Sequence, residues 1–468
     1  MKVVLISTFD LGHQPFGLAS PAAWLSEAGA SVSCIDLAVE DLDERAVREA
    51  GLIAVYLPMH TATRLASAVA PRLKRLNPTA HLGFYGLYAP LNADFLRGLG
   101  AETILGGEFE SGLVGLYERL CANGANGPQS QREPVISFAK QRFRVPERSG
   151  LPPLSRYAYL QLGKRARRTA GYTEASRGCK HLCRHCPVVP VYGGRFRVVQ
   201  PEIVMEDIRR QVRAGARHIT FGDPDFFNGV GHASRLVRAL SAEFPAVTYD
   251  VTIKVEHLLK HSDHLGTLAA TGCVFVTTAV ESVDDRLLEL LDKGHTRSDF
   301  IRVVELAREA SLTLSPTFIP FTPWTSLAGY LELLGLLAEL ELVAHVAPIQ
   351  LAIRLLVPRG SRLLEVPELR GFLGDFDADA LSYPWRHPDP RVDQLYETVR
   401  STVEEGEADG ASRHDIFARI WRVARHACGL PDEPPPWSGR PSADAHVPRL
   451  SEPWYCCAEP TSGQFARV

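Results

Sequence analysis

Three cysteines, Cys179, Cys183 and Cys186, have the spacing Cys-x₃-Cys-x₂-Cys within the segment EASRGCKHLCRHCPVVPVYGGRFR. An electron-transfer iron–sulfur cluster is normally held by four cysteine thiolates. Three thiolates leave one iron without a protein ligand, so that iron is open to a substrate or cofactor. The alternative is a zinc site in which His181 or His185 supplies the fourth ligand. The spacing therefore predicts a metal centre, most simply an open-site cluster.

The residues between these cysteines are basic: Lys180, His181, Arg184 and His185. Positive charge lowers the pKa of nearby thiols and offsets the charge of an anionic cluster. The same residues also suit an ordinary solvated loop.

The cysteine segment resembles the motif of the radical S-adenosylmethionine (SAM) enzymes. The resemblance implies a [4Fe–4S] cluster whose unique iron is chelated by the amino and carboxylate groups of SAM. One electron then cleaves SAM to methionine and a 5′-deoxyadenosyl radical. It also implies an electron donor such as flavodoxin or ferredoxin as a partner.

Residues 1–122 alternate between apolar strands and helices, beginning with VVLIST and continuing with SVSCIDL, LIAVYLP, HLGFYG and ETILGG. Buried strands separated by helices indicate an α/β fold with a doubly wound, Rossmann-like parallel sheet. Ligands of such sheets bind beyond the carboxyl ends of the strands. Residues 123–170 follow as a linker and an ordered strap rich in proline.

The alternation resumes over residues 171–357, with strands expected at YTEASRG, HITFGDP, VTYDVTIKV, CVFVTTAVES, LTLSPTFIP and APIQLAIRLL. Repeated strand–helix units predict a partial (β/α)6 TIM-like barrel, as the resemblance also implies. Functional residues of barrels lie at the carboxyl ends of the strands. Residues 358–430 are expected to be helical, and residues 431–468 to form a flexible tail.

The second barrel strand ends in FGDPDFFN, which contains Gly222, Asp223 and Asp225. The resemblance implies that a segment at this position holds the amino group of SAM. Two acidic residues beside a sulfonium suit that role, whereas a simple Pro-Asp turn is the alternative.

Four further residues are predicted to bind the cofactor from strand ends: Lys254, Glu281, Ser282 and Arg354. The resemblance implies ribose or carboxylate contacts for Glu281 and its neighbour. A guanidinium at the sixth strand end suits a carboxylate, but a structural ion pair is equally compatible with Arg354.

The first domain resembles the cobalamin-binding domain that precedes many radical SAM cores, through FGLASPAAWLSEAGASVSCIDL, YGLYAP and GGEFESGLVGL. The resemblance implies cobalamin across the strand ends near residues 8–12, 58–61 and 85–90. The Asp-x-His-x-x-Gly motif is absent, because His13 follows Asp10 at a different spacing. Two alternatives follow: the domain binds cobalamin without a histidine ligand, or it serves only as a scaffold.

Cys456 and Cys457 are adjacent on the proline-rich tail. Neighbouring thiols can form a disulfide, bind a soft metal or resolve an intermediate, which makes both candidate catalytic residues. The ending YCCAEP resembles a radical SAM subgroup with CCAEP or CUAEP tails, some with selenocysteine at the position of Cys457. Insertion of sulfur, selenium or arsenic through these thiols is an alternative reaction. A second alternative is that the protein is a non-catalytic redox or metal sensor.

The net charge of −3 over 468 residues gives no electrostatic signature of nucleic-acid binding. No apolar run approaches the ~20 residues that span a bilayer, and MKVVLISTFD is too short for a signal peptide. The nine cysteines are unevenly spaced, unlike a secreted disulfide framework. Together with an oxygen-sensitive cluster, these features predict a cytoplasmic protein without membrane contacts.

Overall fold

The computed structural model describes residues 1–123, 133–163, 166–437, 447–452 and 462–465. The first domain alternates strands with helices: β1 (Lys2–Ser7), α1 (Phe16–Glu27), β2 (Ser31–Asp36), α2 (Glu44–Glu49), β3 (Leu52–Tyr56), α3 (His60–Leu76), β4 (His81–Tyr85), α4 (Ala93–Gly98), β5 (Thr103–Gly107), α5 (Glu110–Asn123) and β6 (Ile136–Ser137).

The strands of this domain form one parallel sheet in the order β2-β1-β3-β4-β5-β6. Alternate residues of β1 enter separate cores, Val4 and Ile6 on one face and Val3 and Leu5 on the other. A strand buried on both faces needs a continuous apolar sequence, which is what the chain supplies. The predicted doubly wound sheet is confirmed.

The second part of the chain contains β7 (Tyr159–Leu162), β8 (Ala166–Thr173), β9 (Ser176–Gly178), α6 (Val188–Tyr192), β10 (Phe196–Val198), α7 (Pro201–Arg213), β11 (His218–Phe221), α8 (Val230–Glu243), β12 (Thr248–Thr252), α9 (Val255–Lys260), α10 (Leu265–Ala270), β13 (Cys273–Glu281), α11 (Asp285–Leu290), α12 (Arg297–Glu309), β14 (Leu314–Phe318), α13 (Leu327–Glu339), α14 (Pro390–Ala408), α15 (Arg413–Ala427), β15 (Arg449–Leu450) and α16 (Ser462–Phe465).

The barrel sheet has the order β14-β13-β12-β11-β8-β7-β15. Strands β8 and β11 to β14 are parallel; at one edge β7 is antiparallel to β8, and β15 is antiparallel to β7. The partial barrel is therefore confirmed in its fold class. Among the described residues, no helix is both long and apolar enough to cross a membrane.

Two elements differ from their predictions. The expected sixth barrel strand is a 3₁₀ helix over Pro348–Leu351, followed by a single bridge between Phe321 and Arg354. The side chain of Gln350 accepts a hydrogen bond from the backbone N–H of Phe318 at 3.3 Å, so a side chain occupies the edge that a strand would pair with. The tail, expected to be flexible, contributes β15 to the sheet.

Candidate functional site

The cysteine loop lies between β9 and α6, at the mouth of the partial barrel. Its entry requires Gly178, which has a φ of 73° and where an added Cβ would lie 2.4 Å from the carbonyl oxygen of Arg195. All three predicted thiol residues line one cavity of about 460 Å³, which we call the thiol cavity: Cys179, Cys183 and Cys186.

The thiol cavity lies between the two domains. One wall consists of residues that follow strands β1, β3, β4 and β5 of the first domain: Asp10, Leu11, Pro58, Met59, Leu87, Tyr88 and Phe109. These positions include the strand ends predicted to face a ligand. The first-domain sheet therefore presents its carboxyl edge to the cysteine loop.

The opposite wall consists of inward-facing barrel residues, mainly with small polar side chains: Thr220, Asp250, Thr252, Thr277, Ala279, Ser315 and Thr317. Sequence reasoning missed these residues. Their signal is the period of two within each strand, as in Asp250 and Thr252, because alternate strand residues face the same side.

Two lysines lie close to the thiols. The Lys254 ammonium donates to Cys183 Sγ at 3.4 Å, and its side chain is buried. Lys293 Nζ lies 3.2 Å from Glu281 Oε1, which also lies 3.2 Å from His185 Nε2. Burial favours the neutral acid, but Lys293 and His185 outweigh it and lower the pKa of Glu281 to about 2. Lys293 was not predicted to be a site residue.

The sulfur atoms of the three cysteines do not all lie within 4.8 Å of one another. Ligands of one zinc ion, with bonds of about 2.3 Å, must be that close. Thiols that bind separate irons of a cluster need not lie so close together. Burial raises the pKa of Cys179 to about 11 and that of Cys186 to about 12, so metal binding there must displace protons. The three cysteines together therefore fit a cluster, whereas the ligand atoms of Cys179, His181 and Asp225, which do lie within 4.8 Å of one another, would suit a single metal ion.

The segment after β11 is divided between two tasks. Gly222 and Asp223 line the thiol cavity, and a Cβ at Gly222 would lie 1.8 Å from the Tyr172 hydroxyl. The Asp223 carboxylate accepts the backbone N–H of Ala175 at 2.9 Å, which ties this segment to the chain leading into the cysteine loop. Burial raises the pKa of Asp223 to about 7.

Asp225 does not line the cavity. Its carboxylate lies 2.6 Å from His257 Nδ1 and 3.3 Å from His181 Nε2. Burial opposes ionisation, but the two imidazoles outweigh it and lower the pKa of Asp225. The structure therefore places Asp225 behind the cysteine loop, where it holds His181.

A buried guanidinium joins the two domains beside the loop. Arg177, the middle residue of β9, donates to Glu110 of the first domain at 2.9 Å, while Glu108 lies 3.6 Å away. Its Nε donates to Glu174 at 2.6 Å. This network fixes the cysteine loop against the end of β5.

Residues 173–333 match the sequence model of the radical SAM superfamily. This segment contains the cysteine loop, β11 to β14 and most of the barrel wall of the cavity. The chain contains a radical SAM domain.

Among curated proteins, the hopanoid C-3 methylase of Methylococcus capsulatus is 26% identical over 151 residues, which are 32% of this chain and 29% of that protein. The tRNA-2-methylthio-N(6)-dimethylallyladenosine synthase of Chlorobium limicola is 27% identical over 225 residues, 46% of this chain and 50% of that protein. The chain thus spans at most half the length of these two relatives.

Two solved structures share most of the fold. The cobalamin-dependent SAM radical enzyme OxsB, with aqua-cobalamin bound, has a TM-score of 0.67 at 14% identity and covers 87% of this chain and 67% of its own. The radical SAM methyltransferase TsrM from Kitasatospora setae, with tryptophan and a SAM analogue, has a TM-score of 0.68 at 15% identity and covers 86% and 89%. Both matches extend well beyond residues 173–333, so the shared fold is not confined to the radical SAM domain.

Two predicted cofactor residues lie away from the thiol cavity. Ser282 accepts the backbone N–H of Asp284 at 3.0 Å and starts the turn into α11. Arg354 donates to Asp393 at 2.8 Å and lies 3.7 Å from the ring centroid of Trp385. It lines a second cavity of about 1170 Å³, the side cavity, between the first domain and α14.

Cys456 and Cys457 lie outside the described residues, so their predicted role stays a prediction. The tail residues before them do reach the site: Arg449, Leu450 and Glu452 line the thiol cavity. Glu452 also lines the side cavity, as do Asp10 and His13. The two cavities therefore meet beside the tail.

Proposed function

We propose that this protein is a radical SAM enzyme that binds a [4Fe–4S] cluster on Cys179, Cys183 and Cys186, with SAM at the open iron. We propose further that cobalamin binds against the first-domain wall of the thiol cavity. When bound, these groups supply the reductive cleavage of SAM and the transfer of a methyl group or another SAM-derived fragment. The observation that carries the proposal is the shared cavity, which brings all three thiol residues against the strand ends of the first domain.

The residues of the chain have separable tasks in this proposal. Lys254 donates a hydrogen bond to Cys183 and offsets thiolate charge. Because Gly222 has no side chain, a ligand in the cavity can contact its backbone. Hydroxyl groups on β12, β13 and β14 supply hydrogen-bond partners along the barrel wall. The carboxylate of Glu281 stays ionised and suits ribose hydroxyls or an ammonium group.

The cluster assignment is tested with anaerobically reconstituted protein. Wild-type protein is expected to hold one cluster and to form 5′-deoxyadenosine from SAM when reduced with dithionite, measured by electron paramagnetic resonance and mass spectrometry. Alanine at Cys179, Cys183 or Cys186 abolishes both signals. Cys121→Ala, which alters an exposed cysteine on α5, is the matched control and leaves both intact. SAM cleavage retained by any of the three loop variants contradicts the proposal.

Cobalamin binding is tested separately by titration with hydroxocobalamin. We expect a change in the corrin absorption spectrum and co-elution with the protein on gel filtration. If protein that holds the cluster and cleaves SAM shows neither the spectral change nor co-elution, the first domain serves only as a scaffold.

A second role is proposed for the tail, because Leu450 and Glu452 already line the thiol cavity. Cys456 follows Glu452 by four residues, and four extended residues span at most about 14 Å. The adjacent thiols are therefore within reach of the cavity as a nucleophile, a resolving pair or a heteroatom carrier.

This role is tested in cells that lack the gene. The metabolite that accumulates there identifies the substrate, and wild-type protein clears it. Cys457→Ala and a chain truncated after Leu450 are expected to keep the cluster and SAM cleavage but leave the metabolite uncleared. If either clears it at the wild-type rate, the tail has no part in the reaction.

A further inference from the structure

A buried carboxylate inside the barrel has one oxygen that no protein group uses. Asp250, in the middle of β12, is 4% exposed and lines the thiol cavity. Its Oδ1 accepts a hydrogen bond from the Thr220 hydroxyl at 2.7 Å and lies 2.8 Å from His218 Nε2. Its Oδ2 accepts no hydrogen bond from the described residues and faces the open space of the cavity.

Asp250 lies at the bottom of the cavity on this side of the barrel. The register of the sheet places Thr220 beside Asp250, and His218 beside Thr248 one level closer to the strand starts. Thr220 and Asp250 line the cavity, whereas His218 and Thr248 do not. Because alternate strand residues face the same side, the fully buried His218 lies beneath Asp250 and closes the barrel there.

A chain of hydrogen bonds holds this imidazole in place. Arg168 donates to Thr248 Oγ1 at 3.1 Å, and that oxygen lies 3.0 Å from His218 Nδ1. A neutral imidazole with its proton on Nε2 satisfies these contacts, since the Thr248 hydroxyl then donates to Nδ1 and Nε2–H donates to Asp250. In this arrangement His218 orients the carboxylate without neutralising its charge.

The protein supplies little counter-charge to Asp250. Apart from His218, no basic side chain of the described ranges lies in ion-pair contact with it. His13 of the first domain lines the same cavity, and burial lowers its pKa to about 4, although the charge of Asp250 acts to raise it. His13 is therefore neutral near neutral pH. A buried carboxylate without a cation is costly, so a ligand that brings a positive charge gains by binding there.

We propose that Asp250 Oδ2 anchors the substrate through a positively charged nitrogen, so that the substrate is an organic cation with an ammonium or guanidinium group. The inference rests on the proposed function, which needs a substrate near the thiols, and it adds the chemical class of that substrate. Lys254, which contacts Cys183, follows Asp250 by four residues, or about 13 Å of extended chain. The cation thus lies one small molecule's length from the thiols, with the rest of the substrate between them.

The distribution of charge in the cavity gives the substrate its direction. Lys254 and Lys293 lie at the thiol end, where they repel a cation, and the hydroxyl of Thr252 lies between that end and Asp250. In the proposed function the amino and carboxylate groups of SAM also belong to the thiol end. A charged donor gains most at Asp250, because a charge-assisted hydrogen bond is roughly twice as strong as a neutral one.

The test uses two probes of similar shape that differ in charge: phenethylamine, a cation at neutral pH, and phenethyl alcohol, which is neutral. Isothermal titration calorimetry measures the binding of each to the cluster-loaded full chain, with and without SAM. Asp250→Asn keeps the size of the side chain and an oxygen for His218 and Thr220 but removes the charge. Asp41→Asn, on an exposed residue between β2 and α2, is the matched control.

Wild-type protein and the Asp41 control are expected to bind the amine about tenfold more tightly than the alcohol, in the presence of SAM as in its absence. Asp250→Asn should bind both probes equally, and its cluster absorbance reports whether it folds. Equal binding by wild type, which requires no variant, would overturn the anchor, as would a preference retained by Asp250→Asn. Loss of amine binding when SAM is added would assign Asp250 to SAM and overturn it too. Wild-type protein without a cluster would instead overturn the proposed function, and the preference for the amine can still be measured on it.

Discussion

The two walls of the thiol cavity are both buried, yet they differ in charge. In the first-domain wall burial favours the neutral form of two titratable residues: it raises the pKa of Asp10 well above its usual value and lowers that of His13 to about 4. The barrel wall contains Lys254, Lys293 and an ionised Glu281. The first-domain wall disfavours charged groups, whereas the barrel wall contains charged groups that pair with one another.

This difference indicates how ligands are shared between the domains. A neutral wall of Leu11, Met59, Leu87 and Tyr88 suits the face of a large macrocycle, whose contacts are mainly dispersive. The charged barrel wall suits a zwitterion such as SAM and an anionic cluster.

The largest effect is expected for Glu281→Gln. The substitution leaves Lys293 buried without its carboxylate, and breaking a buried pair in this way costs about 3 kcal/mol of unfolding free energy. Urea denaturation measures the loss, and equilibrium dialysis should show loss of SAM binding. Glu289→Gln, on an exposed residue of α11, is expected to change neither. An unchanged unfolding free energy in the Glu281 variant would show that the pair is not coupled to stability.

Asp10→Asn is expected to stabilise the protein at alkaline pH. Because the folded pKa of Asp10 is raised above its ordinary value of 3.8, its contribution to stability is fully present below that value and is lost as pH rises through the folded pKa. Asparagine mimics the protonated acid and does not titrate. At pH 8 we expect the variant to have a larger free energy of unfolding than wild type, and we expect this gain to shrink toward pH 4. A gain that is independent of pH would contradict the neutral-wall description.

Leu87→Glu places a charge in the neutral wall. Hydroxocobalamin affinity is expected to fall about tenfold, because burying an unpaired carboxylate against a ligand is costly. Leu87→Met, which keeps an apolar side chain of similar volume, is expected to bind as wild type does. Cluster content and SAM cleavage should be unchanged in both. Weaker SAM cleavage in the glutamate variant alone would indicate that the walls do not act separately.

The smallest effect is expected for Lys254→Met. Loss of a hydrogen bond and a positive charge at Cys183 destabilises the reduced cluster, so its midpoint potential becomes more negative by tens of millivolts. Lys254→Arg should retain most of the potential, and Lys260→Met, on an exposed residue of α9, all of it. A redox titration followed by electron paramagnetic resonance measures the shift. An unchanged potential with weaker SAM binding would assign Lys254 to the SAM carboxylate instead.

Much of this architecture is predictable from residue patterns, because strands such as β1 and helices such as α7, which begins at Pro201, carry local signals. The structure of the segment expected to form the sixth barrel strand was not predictable in this way. Its apolar sequence is compatible with a strand, and only the contact of Gln350 with Phe318 shows which side chain takes the edge. An isolated segment carries no information about such a long-range partner.

The site shows the same division. The three cysteines are recognisable because their spacing is local. The Lys293–Glu281 pair and the separation of Asp225 from the cavity depend on how loops fold back over the barrel. Arg354 has a carboxylate partner from α14, as the structural alternative anticipated.

The pairing of β15 with β7 has a consequence for synthesis. Leu450 pairs with Leu160, so residues made nearly three hundred positions apart complete one sheet edge. During synthesis the radical SAM core therefore emerges with β7 paired only to β8 and with its other edge free until β15 is made. Iron, sulfide and bulky cofactors can enter during this interval without displacing the tail. Once β15 pairs with β7, its residues Arg449 and Leu450 form part of the cavity lining, so we expect the cofactors to enter more easily before this pairing than after it.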